Sequence, residues 1–366
     1  MKRILFTTTA IVAFAGAAAA DVSWSGSAEL GHNDDINGGL YADGDLDVTM
    51  SQELDNGVTA GVTFGFDLED ASADTLDTDG NFHADDNFTL FLESDMASLY
   101  YGDTPFAAET YWNGVTNMEE DSFSEADGEV VLRGAMSYGG FDFGISNVVH
   151  NDKFALGGTG SGEVDQLSLG AAGEINGVSV TFGYQEEAEN DFDGNGDFNG
   201  AEVYGLSVGT TVGGADVLFA YASDDGEESI GLQGSYAVAP GVTLTAFYVS
   251  ESRPVDPTDT DIDEDGEDNY GLAASYANGP ISVDAFYHDG GDEDAGVNVS
   301  YDVGNGLGLL AGWSDDDGQY VAAEYDLGGG AAFVASYAED EDNNQNDEIG
   351  PQEYLHGTTV ALTLSF

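Results

Sequence analysis

Three groups of residues in this chain could do chemistry. The first runs Asp191-Phe192-Asp193-Gly194-Asn195-Gly196-Asp197-Phe198-Asn199-Gly200-Ala201-Glu202. Oxygen-bearing side chains alternate, a glycine stands at the sharp bend, and a glutamate closes the series at the twelfth place. That is the spacing of a calcium loop, with Asp191, Asp193, Asn195, Asp197 and Glu202 as candidate ligands. Its flanks read as strands, so it is no helix-flanked EF-hand, and the competing reading is a solvated acidic loop. A shorter copy at 261–266 lacks the closing glutamate. The second group is acidic: Glu119, Glu120 and Asp121, with Glu125 close by, among the aromatics Phe106, Tyr111, Trp112 and Phe123. The third is a single cation, Arg133. Val130, Leu132, Met136 and Tyr138 share one face of its segment, which turns Arg133 to the other. No catalytic residue stands out. His32, His83, His150, His288 and His356 are scattered, with no metal-ligand spacing, and no nucleophile or phosphate-loop motif occurs.

Charge narrows the partners. The chain holds 71 Asp and Glu against 5 Lys and Arg, for a formal net charge of −66. A phosphate backbone needs a basic footprint, so nucleic acid is excluded. Residues 1–20 read as a cleaved secretory signal: Lys2 and Arg3, an apolar run, then Ala18-Ala19-Ala20. With no cysteine in the chain, an exported fold of this size is held by its sheet alone.

From residue 21 onward, apolar alternation recurs in segments about as long as a membrane-crossing strand. Asn56-Gly57, Asn176-Gly177, Asn278-Gly279 and Asn305-Gly306 are hairpin turns. Long acidic stretches occupy the opposite ends of the segments. Gly231-Leu232-Gln233-Gly234-Ser235-Tyr236 recurs as Gly271-Leu272-Ala273-Ala274-Ser275-Tyr276, and looser copies end at Tyr301 and Tyr325. Each return segment carries a second aromatic on the same face: Tyr248, Tyr287, Trp313 or Tyr337. A strand bordered by aromatics at both ends fits the roughly 25 Å apolar band of a transmembrane barrel. The last stretch, Val360 to Phe366, repeats the pattern and ends on a bare aromatic. It is expected to close the barrel against 22–30. The fold class is therefore all-β, a transmembrane antiparallel β-barrel with long outside loops and short periplasmic turns. A direct count gives twenty strands, with 21–366 as one domain. Such a bore is too wide for side chains to fill.

Three short motifs then carry a resemblance. The start Asp21-Val22-Ser23-Trp24-Ser25-Gly26, the segment Ser98-Leu99-Tyr100-Tyr101-Gly102-Asp103 and the closing Phe366 resemble, in that order, the Gram-negative general porins of alphaproteobacterial type. Sixteen strands is usual there, so the expected range is sixteen to twenty. The resemblance implies a homotrimer embedded in the lipid of the outer membrane, passing small hydrophilic solutes by diffusion. It also implies that 103–128 folds inward as the constriction, with Glu119, Glu120, Asp121 and Glu125 on the loop and Arg133 on the wall. With one arginine for that wall, the lumen stays acidic and cation selectivity is expected. No cofactor is required, and calcium is the one candidate ligand. The alternative function is a structural or adhesive outer-membrane barrel whose acidic surface loops bind calcium.

Overall fold

A computed structural model describes residues 21–36, 38–68, 82–123, 130–149, 164–188, 201–252, 267–291, 293–316, 318–339 and 349–366. They form one sheet of twenty strands. The first five are β1 (Asp21–Asn33), β2 (Leu40–Glu53), β3 (Thr59–Leu68), β4 (Phe82–Glu93) and β5 (Ala97–Gly102). A short helix, α1 (Ala107–Tyr111), precedes β6 (Val131–Tyr138), β7 (Phe141–Val149), β8 (Val164–Ile175) and β9 (Val178–Gln185). Next come β10 (Val203–Val212), β11 (Ala215–Asp224), β12 (Glu227–Ala239), β13 (Val242–Glu251) and β14 (Asn269–Asn278). The set ends with β15 (Ile281–Asp289), β16 (Asp294–Gly304), β17 (Leu307–Ser314), β18 (Gly318–Gly328), β19 (Ala331–Glu339) and β20 (Gly357–Ser365).

Each strand pairs antiparallel with its neighbours in chain order, and β20 pairs back onto β1. The sheet is therefore a closed barrel with no free edge, the arrangement that satisfies every strand's backbone inside lipid. The direct count of twenty stands, and sixteen does not. The turns obey their chemistry. Asn176 and Gly177 both take positive φ (52° and 79°), as do Asn305 and Gly306 (57° and 84°). Two left-handed residues in a two-residue loop match the twist of the flanking strands.

Alternation sorts the two faces. Leu206, Leu232, Leu272 and Val321 point out and are exposed on the isolated chain, where lipid would cover them. Their neighbours Gly205, Gly231, Gly271 and Tyr320 belong to the lumenal face. Outward aromatics form two rims: Tyr248, Tyr287, Trp313 and Tyr337 towards the long loops, and Tyr236, Tyr276, Tyr301 and Tyr325 towards the turns.

The closing register differs from the expected one. β20 pairs with Ser27 to Asn33 of β1 (Ser27↔Ser365, Asn33↔Thr359), not with 22–30. Phe366 adds one last rung, exchanging N–H···O bonds of 3.0 and 3.1 Å with Gly26. The first residues of β1 pair only with β2, from Asp21↔Ser51 onward. Tilted strands in a barrel must stagger, so the ends at the seam cannot be level.

Candidate pore constriction

The inner loop leaves β5 at Asp103. The Asp103 N–H donates to the Phe88 carbonyl (2.8 Å), and the Thr89 hydroxyl donates to the Asp103 carbonyl (2.5 Å). Helix α1 follows at once. Its first N–H groups have no partner within the helix, and the barrel wall supplies them: Ala107 N–H donates to Ser146 Oγ (2.8 Å) and Ala108 N–H to Ser168 Oγ (2.9 Å). The Glu109 carboxylate reaches back to accept the Phe106 N–H at 3.3 Å. Phe106 is fully buried against Val131 and Val148. Ser146 lies on the opposite face of its strand to the exposed Ile145, so the loop packs inside the barrel.

Glycines make room for it. Gly144, Gly170, Gly183, Gly205 and Gly231, on β7, β8, β9, β10 and β12, lie under Tyr111, Ala107, Phe123, Trp112 and Val115. A Cβ on Gly170 would stand 2.0 Å from the Ala107 carbonyl oxygen, and one on Gly205 2.4 Å from the Trp112 ring. The Trp112 and Phe123 rings pack at 5.7 Å, and Val115 and Met118 join Ala220, Ala222 and Val249 in a buried apolar cluster.

The acidic group sits at the far end of this path. The Trp112 Nε1–H donates to Asp121 Oδ2 at 2.8 Å, while burial pushes the Asp121 carboxyl above its usual range. Glu119 and Glu120 turn to the wall. The Glu120 N–H donates to Ser229 Oγ (2.9 Å), and the residue is only 1% exposed. The Glu119 N–H donates to Glu251 Oε1 (3.3 Å), and Glu119 Oε1 accepts from Asn269 Nδ2 (2.9 Å). Ser229 in turn donates to Glu251. Carboxylate oxygens of Glu119, Glu120 and Glu251 thus lie within 4.8 Å of one another. At the tip, Asn117 takes a positive φ of 56°, and its carbonyl accepts from Asn269 Nδ2 at 3.1 Å.

Arg133 stands at the other end, at the loop's root. Its Nε and Nη2 donate to Thr104 Oγ1 (3.2 and 3.0 Å), its Nη1 donates to Thr110 Oγ1 (3.2 Å), and its guanidinium lies 4.7 Å from the centre of the Tyr100 ring. The structure therefore does not bring Arg133 together with Glu119, Glu120 and Asp121. Hydroxyls and a ring hold the arginine, because β5 and β6 flank the point where the loop departs. Glu119 and Glu120 meet β12 to β14 because the loop runs along the lumen's wall before it turns, whereas Asp121 bonds Trp112 within the loop. Glu125 lies outside the described residues. So do Asp191, Asp193, Asn195 and Asp197; Glu202 is described, and its Oε2 accepts the Tyr184 hydroxyl at 2.8 Å.

Sequence reasoning passed over the wall residues that receive the loop: Ser146, Ser168, Ser229, Glu251 and Asn269. It also passed over Asp43, Asp45 and Asp47, which alternate along β2 with Ala42, Gly44, Leu46 and Val48. Ser27 Oγ, on the lumenal face of β1, donates to Asp45 Oδ2 at 3.0 Å, which places the three aspartates inside. Plain alternation would have found them.

Comparison with known proteins completes the picture. No curated protein matches the chain. Among solved structures, a triple mutant of the Rhodopseudomonas blastica porin is similar at 12% identity and a TM-score of 0.42, covering 94% of this chain and 100% of that one. A loop-deletion mutant of OmpT, an outer membrane protein of Vibrio cholerae, is similar at 12% identity and a TM-score of 0.39, covering 95% of this chain and 99% of its own. The family model described as Gram-negative porin matches residues 7–346. Nearly the whole chain lies within that match, and the chain belongs to the Gram-negative porin family, whose members reside in the outer membrane.

Proposed function

We propose that this porin is a passive, water-filled diffusion pore selective for cations, with the inner loop as its constriction. One observation carries the reading. Arg133 is the only Lys or Arg on any of the twenty strands, whereas Glu29, Asp43, Asp45, Asp47, Asp142 and Glu324 all stand on lumenal positions. In water, a monovalent cation about 4 Å from one carboxylate gains about 1 kcal/mol, and an anion loses as much. Several carboxylates along one path add to that preference. Planar bilayers under a potassium chloride gradient test the proposal. Stable openings with a zero-current potential of cation sign are expected. An anion sign would overturn the selectivity. Silence would favour the surface-protein alternative.

Calcium binding at 191–202 rests on the ligand spacing alone. A calcium titration of the protein and its Asp193→Ala variant tests it, with saturable binding expected only in the former.

A further inference from the structure

A second segment enters the lumen, on strands the inner loop does not reach. Residues 349–354 form a tight hairpin. Ile349 and Tyr354 exchange backbone bonds at 3.3 and 3.1 Å, and the Glu353 N–H donates to the Gly350 carbonyl at 2.9 Å. Gly350 and Glu353 both take positive φ (76° and 53°). Ile349 and Tyr354 are 1% and 6% exposed, packed on Tyr320, Ala322 and Ala338. Those three belong to the lumenal faces of β18 and β19, since Val321 and Tyr337 between and beside them point out. The Tyr354 hydroxyl donates to Glu324 Oε1 at 2.9 Å, which ties the hairpin to a carboxylate further down the wall. The Tyr320 and Tyr354 rings lie 5.1 Å apart, and the Tyr320 hydroxyl donates to Asn298 Oδ1 on β16 at 2.8 Å. A Cβ on Gly350 would fall 2.3 Å from the Tyr320 ring, so the two surfaces meet without a gap.

The inner loop pads the wall from β6 round to His288 on β15, where Asn117 Nδ2 meets the ring Nδ1 at 3.4 Å. The hairpin pads β18 and β19. On β2, by contrast, Asp43, Asp45 and Asp47 stay exposed. We propose that residues 349–354 form the second wall of the constriction and, with the inner loop, confine the passage to the arc around β1 and β2, past Asp43, Asp45 and Asp47. Tyr354 and Glu324 are then positioning residues for that wall, and the three aspartates set the ion preference. The inference rests on the porin reading above.

The chain has no cysteine, so single thiols can be placed at will. A bulky thiol reagent attached at Gln352→Cys should lower single-channel conductance, whereas the same adduct at Asp225→Cys, on the turn between β11 and β12, should leave it unchanged. The triple variant Asp43→Asn, Asp45→Asn, Asp47→Asn should shift the zero-current potential towards the non-selective value. Releasing the hairpin with Ile349→Ser and Tyr354→Ser should raise conductance. An unchanged conductance after labelling at Gln352→Cys, or an undiminished cation preference in the triple variant, would overturn the inference while leaving the pore itself intact. Absence of openings in the unmodified protein would instead overturn the porin reading.

Discussion

Arg133 ties the root of the inner loop to the wall, while Asp121 closes the loop on itself through Trp112. Arg133 uses the fork of its guanidinium on Thr104 and Thr110 while stacking on Tyr100, a geometry that the point charge of a lysine would not reproduce. Arg133→Glu should raise the cation preference in reversal-potential measurements and loosen the loop's root, seen as noisier open-channel current. An unaltered potential would place Arg133 away from the ion path. Asp121 is a carboxylate whose burial outweighs the help of Trp112. Its pKa is raised, so the folded state carries no penalty below the unfolded value of about 3.9, and acquires one as pH rises through the folded value. Asp121→Asn keeps an acceptor for Trp112 and removes that penalty. Its thermal denaturation should match the parent in acid and occur at equal or higher temperature at neutral pH; a lower temperature at neutral pH would contradict the account.

At the scale of elements, strands were legible and what covers them was not. Period-two alternation bounded by Asn-Gly turns is a local signal, and it carries the count of twenty. Helix α1 is too short for a helical period to register, and wall serines join its own Glu109 in completing its first turn. The loop's berth was hidden for a different reason. Gly144, Gly170, Gly183, Gly205 and Gly231 look like ordinary small lumenal residues until Trp112, Tyr111 and Phe123 are laid over them. The hairpin at 349–354 hid in a polar stretch, because only Ile349 and Tyr354 make its contact. Gly205→Val therefore gives a sharp test. The added atoms must displace Trp112, at an overpacking cost of about 1–3 kcal/mol. The barrel should assemble, while Trp112 fluorescence shifts to the red and single-channel conductance changes. Unchanged fluorescence and conductance would mean that the ring does not rest there.

For the whole molecule, closure depends on a seam between chain ends far apart in sequence. Alternation showed that β20 meets β1 but not at which rung, because register across a tilted seam is set by the stagger of all the strands together. The result is a short overlap, Ser27 to Asn33, finished by the Gly26–Phe366 rung. At the other end the Thr358 N–H holds the Asp34 carboxyl below its usual range, and His356 pairs with Asp35 at 2.7 Å. Deleting Phe366 removes the terminal rung and an outward aromatic. It should lower the yield of heat-modifiable assembled protein, with little effect on the conductance of what does assemble. Normal yield would contradict this view of the seam.

The proposed cation preference comes from lumenal carboxylates that basic residues barely oppose. Charge-based selectivity must fade as salt shortens the screening length from about 10 Å at 0.1 M to about 3 Å at 1 M. The most direct measurement is the zero-current potential across a fixed salt ratio, repeated from low to high absolute salt. A clear cation sign is expected at low salt, shrinking as salt rises. A potential of anion sign, or one that does not change with salt, would contradict it.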